Sequence, residues 1–425
     1  MKFVVLTQYF PPEVGASQVR LAALCAELAS AGHGVEVVTA MPHHPMGRIF
    51  PPYRGRFYTR EHRNGIPIHR VWVYAGNTAS LKRILSYVSF AMMCLYGLFR
   101  AKQPDYVFVD SPPLSSGVPG WIAARWWGAR LVFNVADLWP DSVRDLGLMR
   151  DGIVMRLAFQ LERWIYRRAS YVTAVTEGIR ETLLRSKHVP RKKVLFLPNG
   201  VDTELFQPCQ TDEGLKNALG LAGKQVILYA GNHGYAGAVD QILRAANRLR
   251  DDPSLHFLLV GDGPEKPALK MLAASLQLDN VTFRDSVPIE SLPSYVSICD
   301  LAVVTLRKSQ ITKGARPAKA FVMMAAGKPI VMAAEGEAER LVRTAAAGVV
   351  VPPESPAALA NAIRVMLSDR VRLHKMGMNG RSFVAANFAW SSLVHTWLAQ
   401  LSGSSQIGPT ERKLHLEQDN ARVSS

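Results

Sequence analysis

Apolar residues along the 425-residue chain recur in short continuous runs, separated by longer stretches with helical spacing. The first run, Phe3–Leu6, is unbroken, as expected of a strand covered on both faces. After it come the turn Pro-Pro-Glu-Val-Gly-Ala-Ser at 11–17 and a helical pattern to residue 31. That pattern stops at Gly32-His33-Gly34, and Val35–Thr39 predicts the next strand. Further runs at Tyr106–Val109, Leu131–Val135 and Val172–Val175 alternate with helical patterns near 115–127, 152–169 and 177–187. Strands alternating with helices predict an α/β fold, a parallel sheet wrapped on both faces.

The rhythm restarts beyond a turn at Asn199-Gly200-Val201-Asp202. Runs at Val226–Gly231, Phe257–Val260, Leu301–Val304, Ile330–Met332 and Val349–Val351 predict a second sheet. Helical patterns fit 237–250, 264–276, 317–326 and 356–367. The expected organisation is a Rossmann-like domain over 1–200 and a second over 201–389. A helix at 390–401 would return to the first domain, and the polar stretch 402–425 would be a disordered tail. Two doubly wound domains in tandem are expected to face a ligand cleft with their strand ends.

Composition is ordinary for a globular chain, with 48% hydrophobic and 20% charged residues, but the net charge is +16. Residues 1–200 hold 26 basic and 13 acidic side chains, a net of +13, which leaves +3 for the rest. The first half is therefore built to sit near something anionic. Nucleic acid would suit the charge, but no helix-turn-helix, finger or RNP pattern accompanies it. Four dispersed cysteines and an N-terminus without a signal-peptide pattern point to the cytoplasm. No apolar stretch reaches the ~18–20 residues that span a bilayer. The nearest is Ile84–Phe99, flanked by Lys82, Arg83, Arg100 and Lys102, which reads either as a buried core helix or as an interfacial helix pressed on lipid.

Specific motifs then appear in order: FPPEVGAS at 10–17, GHGVEVVTAMPHHPMG at 32–47, SPPL at 111–114 and ADLWPDS at 136–142. They are followed by LPNGVDTELFQP at 197–208, YAGNHG at 229–234, LLVGDGPEK at 258–266 and RPAKAFVMMAAGKPIVMAAEGE at 316–337, and last by AGVVVPPESPAALANAI at 347–363. Over roughly residues 1–400 the chain resembles the GT-B glycosyltransferases of family 4. It is most similar to the branch that builds bacterial surface polysaccharides, of the colanic acid and O-antigen fucosamine transferase type.

The resemblance implies roles. Gly15 would let backbone N–H groups approach a donor phosphate or the reacting sugar at a helix N-terminus. Glu13 either faces the sugar or is a solvated loop carboxylate. Asn232, His233 and Gly234, with Gly261 and Gly263, would approach the donor diphosphate from the second domain. Where relatives carry a basic residue, His233 or the backbone would have to serve. Lys319, in Pro317-Ala318-Lys319, corresponds to the family's Pro-Ser-Lys lysine, which neutralises the departing diphosphate, and Arg316 adds charge. The family's ribose-binding glutamate is replaced by Val322, which accepts no hydrogen bond. Glu335 and Glu337 are its possible replacements, or else ordinary helix-start carboxylates. Asp137, ending a first-domain strand, either bonds sugar hydroxyls and orients the acceptor or is a turn aspartate, and Asp110 is equally open.

No Asp-x-Asp or metal-spaced cluster occurs in the sequence, so the expected reaction is metal-independent, without a cofactor. The co-substrate would be a nucleotide-sugar, UDP-linked, and transfer would be retaining, by front-face attack. The acceptor would be a polyprenyl-diphosphate-linked saccharide at an anionic membrane surface, with Arg54, Arg56, Lys82, Arg83 and Arg100 facing lipid or acceptor. The enzyme would be cytoplasmic and peripheral on the inner membrane face. Two other readings stand beside this one. In the first, Val322 marks a weakened GT-B scaffold that binds acceptor or partner transferases. The second, a dinucleotide enzyme, needs G-x-G-x-x-G after the first strand, which the turn at 11–17 does not supply.

Overall fold

The computed structural model describes residues 1–13, 15–44, 46–76, 81–145 and 152–403. From residue 404 on, the tail expected at 402–425 lies outside the described residues. The chain forms two compact units. Unit 1 is Met1–Pro198 with the Trp390–Leu401 helix, and unit 2 is Asn199–Ala389.

Unit 1 is built on eight strands: β1 (Lys2–Leu6), β2 (Gly34–Ala40), β3 (Tyr58–Arg63), β4 (Ile66–Val71), β5 (Tyr106–Ser111), β6 (Arg130–Val135), β7 (Tyr171–Ala174) and β8 (Val194–Phe196). Their order is β3-β4-β2-β1-β5-β6-β7-β8. All neighbours are parallel except β3 and β4, which form an antiparallel hairpin. The hairpin lies in a stretch where the apolar pattern predicts no strand. Its outer strand, Tyr-Thr-Arg-Glu-His-Arg, has no apolar alternation because it is a charged, largely exposed edge. The central strands β1 and β5 are buried nearly throughout, which explains their unbroken apolar runs.

One face of this sheet carries the Leu81–Arg100, Gly117–Trp127 and Ile153–Arg168 helices. The opposite face carries Ala16–Ser30 and Trp390–Leu401. There Trp397 is fully buried, with its ring 6.0 Å from Phe3 and 5.7 Å from Phe108.

Unit 2 has six strands: β9 (Gln225–Ala230), β10 (Leu255–Val260), β11 (Val281–Arg284), β12 (Leu301–Thr305), β13 (Ile330–Ala333) and β14 (Gly348–Val351). The order β11-β10-β9-β12-β13-β14 is parallel throughout. The chain thus leaves β9 on one side and returns at β12 on the other. That is the topological switch point at which doubly wound sheets bind ligands. In unit 1 the equivalent point lies between β1 and β5.

Candidate active site

The switch point of unit 2 is built from glycine-lined strand ends and the start of one helix. Gly231 follows β9 at φ 152° and Gly261 follows β10 at φ 142°. A Cβ on Gly261 would lie 2.0 Å from the Gly231 carbonyl oxygen, so only glycine lets the two strand ends meet. Behind them, buried Lys266 gives its ammonium to the carbonyls of Gly261 (2.7 Å) and Arg284 (3.1 Å). It also pairs with Asp262 (2.8 Å) and Asp285 (2.6 Å). Lys266 therefore staples the loop that holds Gly261 and Gly263. Across the switch point, the Thr305 hydroxyl donates to Gly237 O, and Arg307 pairs with Asp240 at 2.9 Å.

The Ala318–Ala325 helix begins after Pro317 and carries Lys319 in its first turn. The Lys319 ammonium donates to the Tyr229 hydroxyl at 2.5 Å and lies 4.0 Å above that ring's centre. It packs against Gly231, where a Cβ would come within 2.9 Å of Lys319 Cε. Tyr229 in turn donates to the backbone carbonyl of Asn232 at 2.7 Å. Lys319 has no carboxylate partner among the described residues, and burial pulls its pKa down to about 7. A lysine held without a counter-ion at a switch point is poised for an anionic ligand.

The structure brings Lys319 together with the Gly231–Gly234 and Gly261–Gly263 turns, but it changes the roles of several neighbours. His233 is not a source of positive charge. Its side chain is fully buried against the rings of Tyr229 (5.7 Å) and Phe283 (6.1 Å). Burial, and then the charges of Lys266 and Lys319, push its pKa down to about 4. Its backbone N–H is also taken, by Asp262 O at 2.9 Å. Asn232 is exposed, and its side-chain oxygen and His233 O both approach Gly263 too closely for a Cβ.

Arg316 adds no free charge beside Lys319, because its guanidinium is buried on Glu337 at 2.7 Å. That pair also removes Glu337 as a free acceptor for ribose hydroxyls. Glu335 lies 3.5 Å from Lys313 and 3.9 Å from Lys308. Val322 is half-buried, three residues after Lys319 and hence on the same helical face.

In unit 1, Gly15 precedes the Ala16–Ser30 helix, and its carbonyl accepts from Val19 N at 3.0 Å. Glu13 neither faces solvent nor stands free for a sugar. Only 3% exposed, it accepts the backbone N–H groups of His43 (2.7 Å), His44 (2.8 Å) and Phe10 (3.2 Å). Burial raises its pKa to about 7 despite these three bonds. Asp110 is buried and fully engaged by Arg20, Ser17 and Asn134, which pins the first helix to β5. Asp137 follows β6, half-buried, and accepts from Ser142 at 3.1 Å; burial raises its pKa. The same strand-end edge gathers Tyr9, His43 and His44, with the Tyr9 ring 5.6 Å and 5.4 Å from the two imidazoles.

The basic residues of unit 1 divide by role. Arg54, Arg56, Lys82, Arg83 and Arg100 are exposed. Arg83 donates to Tyr87 (2.8 Å) and Arg100 to Tyr96 (2.7 Å). Arg70 is fully buried and structural, bonded to Glu61, Ala40 O and Pro11 O. Sequence reasoning missed Tyr229, which reads only as one more apolar position in a strand, and Lys266, which reads as a helix-surface lysine.

Two doubly wound α/β units in tandem have the architecture of the GT-B fold. Comparison with known proteins narrows the class. Residues 15–200 match the model of the glycosyl transferase 4-like domain, and residues 212–383 that of glycosyl transferases group 1. The chain is 30% identical over 379 residues to the putative colanic acid biosynthesis glycosyl transferase WcaI of Escherichia coli K12. That match covers 86% of this chain and 92% of the relative. It is 27% identical over 266 residues to the probable glycosyltransferase WbjE of Pseudomonas aeruginosa, covering 62% and 65%. Among solved structures, Anabaena HepE in complex with UDP and glucose matches with a TM-score of 0.72 at 20% identity. It covers 95% of this chain and 99% of that one. The chain belongs to the family 4 glycosyltransferases.

Proposed function

We propose that this glycosyltransferase takes a hexose derivative, such as an N-acetylamino sugar, from a UDP-linked donor. It passes the sugar to a polyprenyl-diphosphate-linked saccharide in the biosynthesis of O-antigen, capsule or exopolysaccharide. The observation that carries the reading is Lys319, a desolvated amine with no carboxylate partner among the described residues, beside the Gly231 and Gly261 strand ends. The colanic acid biosynthesis in WcaI's name supports a polysaccharide product, and the UDP complex of HepE supports a UDP-linked donor.

In the proposed step the bond from the sugar's anomeric carbon to the β-phosphate oxygen breaks, and the acceptor oxygen bonds to that carbon on the same face. The acceptor's proton passes to the departing phosphate oxygen, and UDP leaves. The Lys319 ammonium meets the charge that develops on the diphosphate, so no metal or cofactor is needed. The work is done at the cytoplasmic face of an anionic membrane, with the protein bound peripherally. No described helix is long and apolar enough to cross a membrane.

A second reading rests on Val322. With Glu337 held by Arg316 and Glu335 beside two lysines, the ribose loses a carboxylate partner. The chain would then be a weakened scaffold that binds acceptor or other transferases. A donor screen with membrane fractions holding lipid-linked acceptor, run with EDTA and read by mass spectrometry, separates the two. Sugar transfer supports the enzyme, and its absence with every donor supports the scaffold.

A further inference from the structure

The Leu81–Arg100, Gly117–Trp127 and Ile153–Arg168 helices lie side by side on one face of the unit 1 sheet. Their inner faces bury Phe90, Cys94, Leu98, Ala123 and Ile165. Their outer faces are also apolar. Leu85, Val88, Met92 and Phe99 recur at helical spacing and are exposed, Met92 to 68%. On the next helix Trp126 is 73% exposed and touches Phe99 edge-on at 5.7 Å. The third helix adds Leu157, also exposed.

The exposed charged groups of these helices are of one sign. Lys82, Arg100, Arg125, Arg156, Arg163 and Arg168 are exposed. The first two helices contain no carboxylate at all. The third contains only Glu162, which is buried and bonded to Lys187 and Tyr166. Arg100 lies 5.0 Å over the Tyr96 ring, and Arg168 5.5 Å over Trp121, so cations and aromatics are interleaved.

We infer that this three-helix face is the surface that seats the protein on an anionic bilayer. The helices lie in the plane of the interface, with Met92, Phe99 and Trp126 entering the acyl boundary and the arginines meeting lipid phosphates. An exposed apolar face of this extent does not suit water, and its lack of exposed carboxylates matches an anionic partner. The inference rests on the proposed function for the membrane's place in the reaction, but not for the surface itself.

Flotation of the full chain with phosphatidylglycerol–phosphatidylethanolamine vesicles tests it. Binding is expected at low salt, weakened about tenfold or more on pure phosphatidylcholine and at about 0.5 M salt. Met92→Glu with Phe99→Glu should lower it about tenfold or more. Val371→Glu, at an exposed site in unit 2, should leave it unchanged. No flotation at low salt, or equal flotation of the double variant, overturns the inference. So does light scattering that shows a dimer split by the same pair of substitutions, since a second copy would then cover the face. UDP titration of the parent keeps the two claims apart, and unchanged UDP binding by the double variant shows that the substitutions leave the fold intact. A parent protein that binds UDP but does not float overturns this inference alone. One that floats but binds no UDP overturns the transferase reading alone.

Discussion

At the level of single residues, the proposed site turns on Lys319, an amine whose burial favours its neutral form. Burial lowers the Lys319 pKa to about 7, and a diphosphate beside it raises the pKa again. The bound state then holds more protons than the free state at any pH between the two values. UDP affinity is therefore expected to be full from about a unit below pH 7 and to fall as pH rises above 7, by up to about tenfold per unit. Calorimetry at pH 8 in buffers of different ionisation heat should show proton uptake on UDP binding, and none with Lys319→Ala. Val322 supplies a second test at this scale, since it shares the helical face of Lys319. A carboxylate there gains a charge-assisted bond of about 1.5–3 kcal/mol if the ribose lies against it. Val322→Glu should then tighten UDP about tenfold or more in the same titration. An unchanged affinity would mean that this face does not meet the ribose.

Among the secondary-structure elements, the strand ends and their loops decide what each side chain is free to do. Glu13 is the clearest case, because it ties the loop after β1 to the one after β2 by accepting from His43 and His44, and braces its own loop by accepting from Phe10. Glu13→Ala strands those donors, so unit 1 should lose about 2 kcal/mol or more of stability, read as a lower melting temperature. A melting temperature within error of the parent's would show that the loops hold themselves.

The same element scale explains what the sequence shows and hides. The runs of β1, β5, β9 and β12 are legible because both faces of a central parallel strand are covered, so every position is apolar. The β3–β4 hairpin is not, because its edge strand is charged and Arg70, an arginine in a strand, is buried by long-range bonds. The Arg370–Asn387 helix is masked by Gly377 and Gly380. Gly377 is required because a Cβ there would lie 2.0 Å from the Gly327 carbonyl oxygen. The place of Lys319 in the first turn of a unit 2 helix is legible from its motif. The employment of Glu13, His233, Arg316 and Glu337 is not, because each is fixed by partners distant in sequence.

Across the whole molecule, the two units divide the chemistry and the charge. Unit 2 holds the glycine-lined switch point and Lys319, whereas unit 1 holds most of the +16 charge and the exposed three-helix face. Unit 1 is also discontinuous, because its Trp390–Leu401 helix is supplied from beyond unit 2. Trp397→Ala empties a fully buried site and should cost unit 1 about 3–5 kcal/mol, seen as an early melting transition. A single unshifted transition would show that the helix is dispensable.

The central claim, that a nucleotide diphosphate is held at the Lys319 switch point, is tested most directly by isothermal titration of UDP. Parent and Lys319→Ala proteins should be compared at pH 7. The expected result is saturable one-to-one binding that the variant weakens about tenfold to a hundredfold, from loss of a charge-assisted bond. No heat at millimolar UDP, or equal affinity in the variant, would contradict the claim.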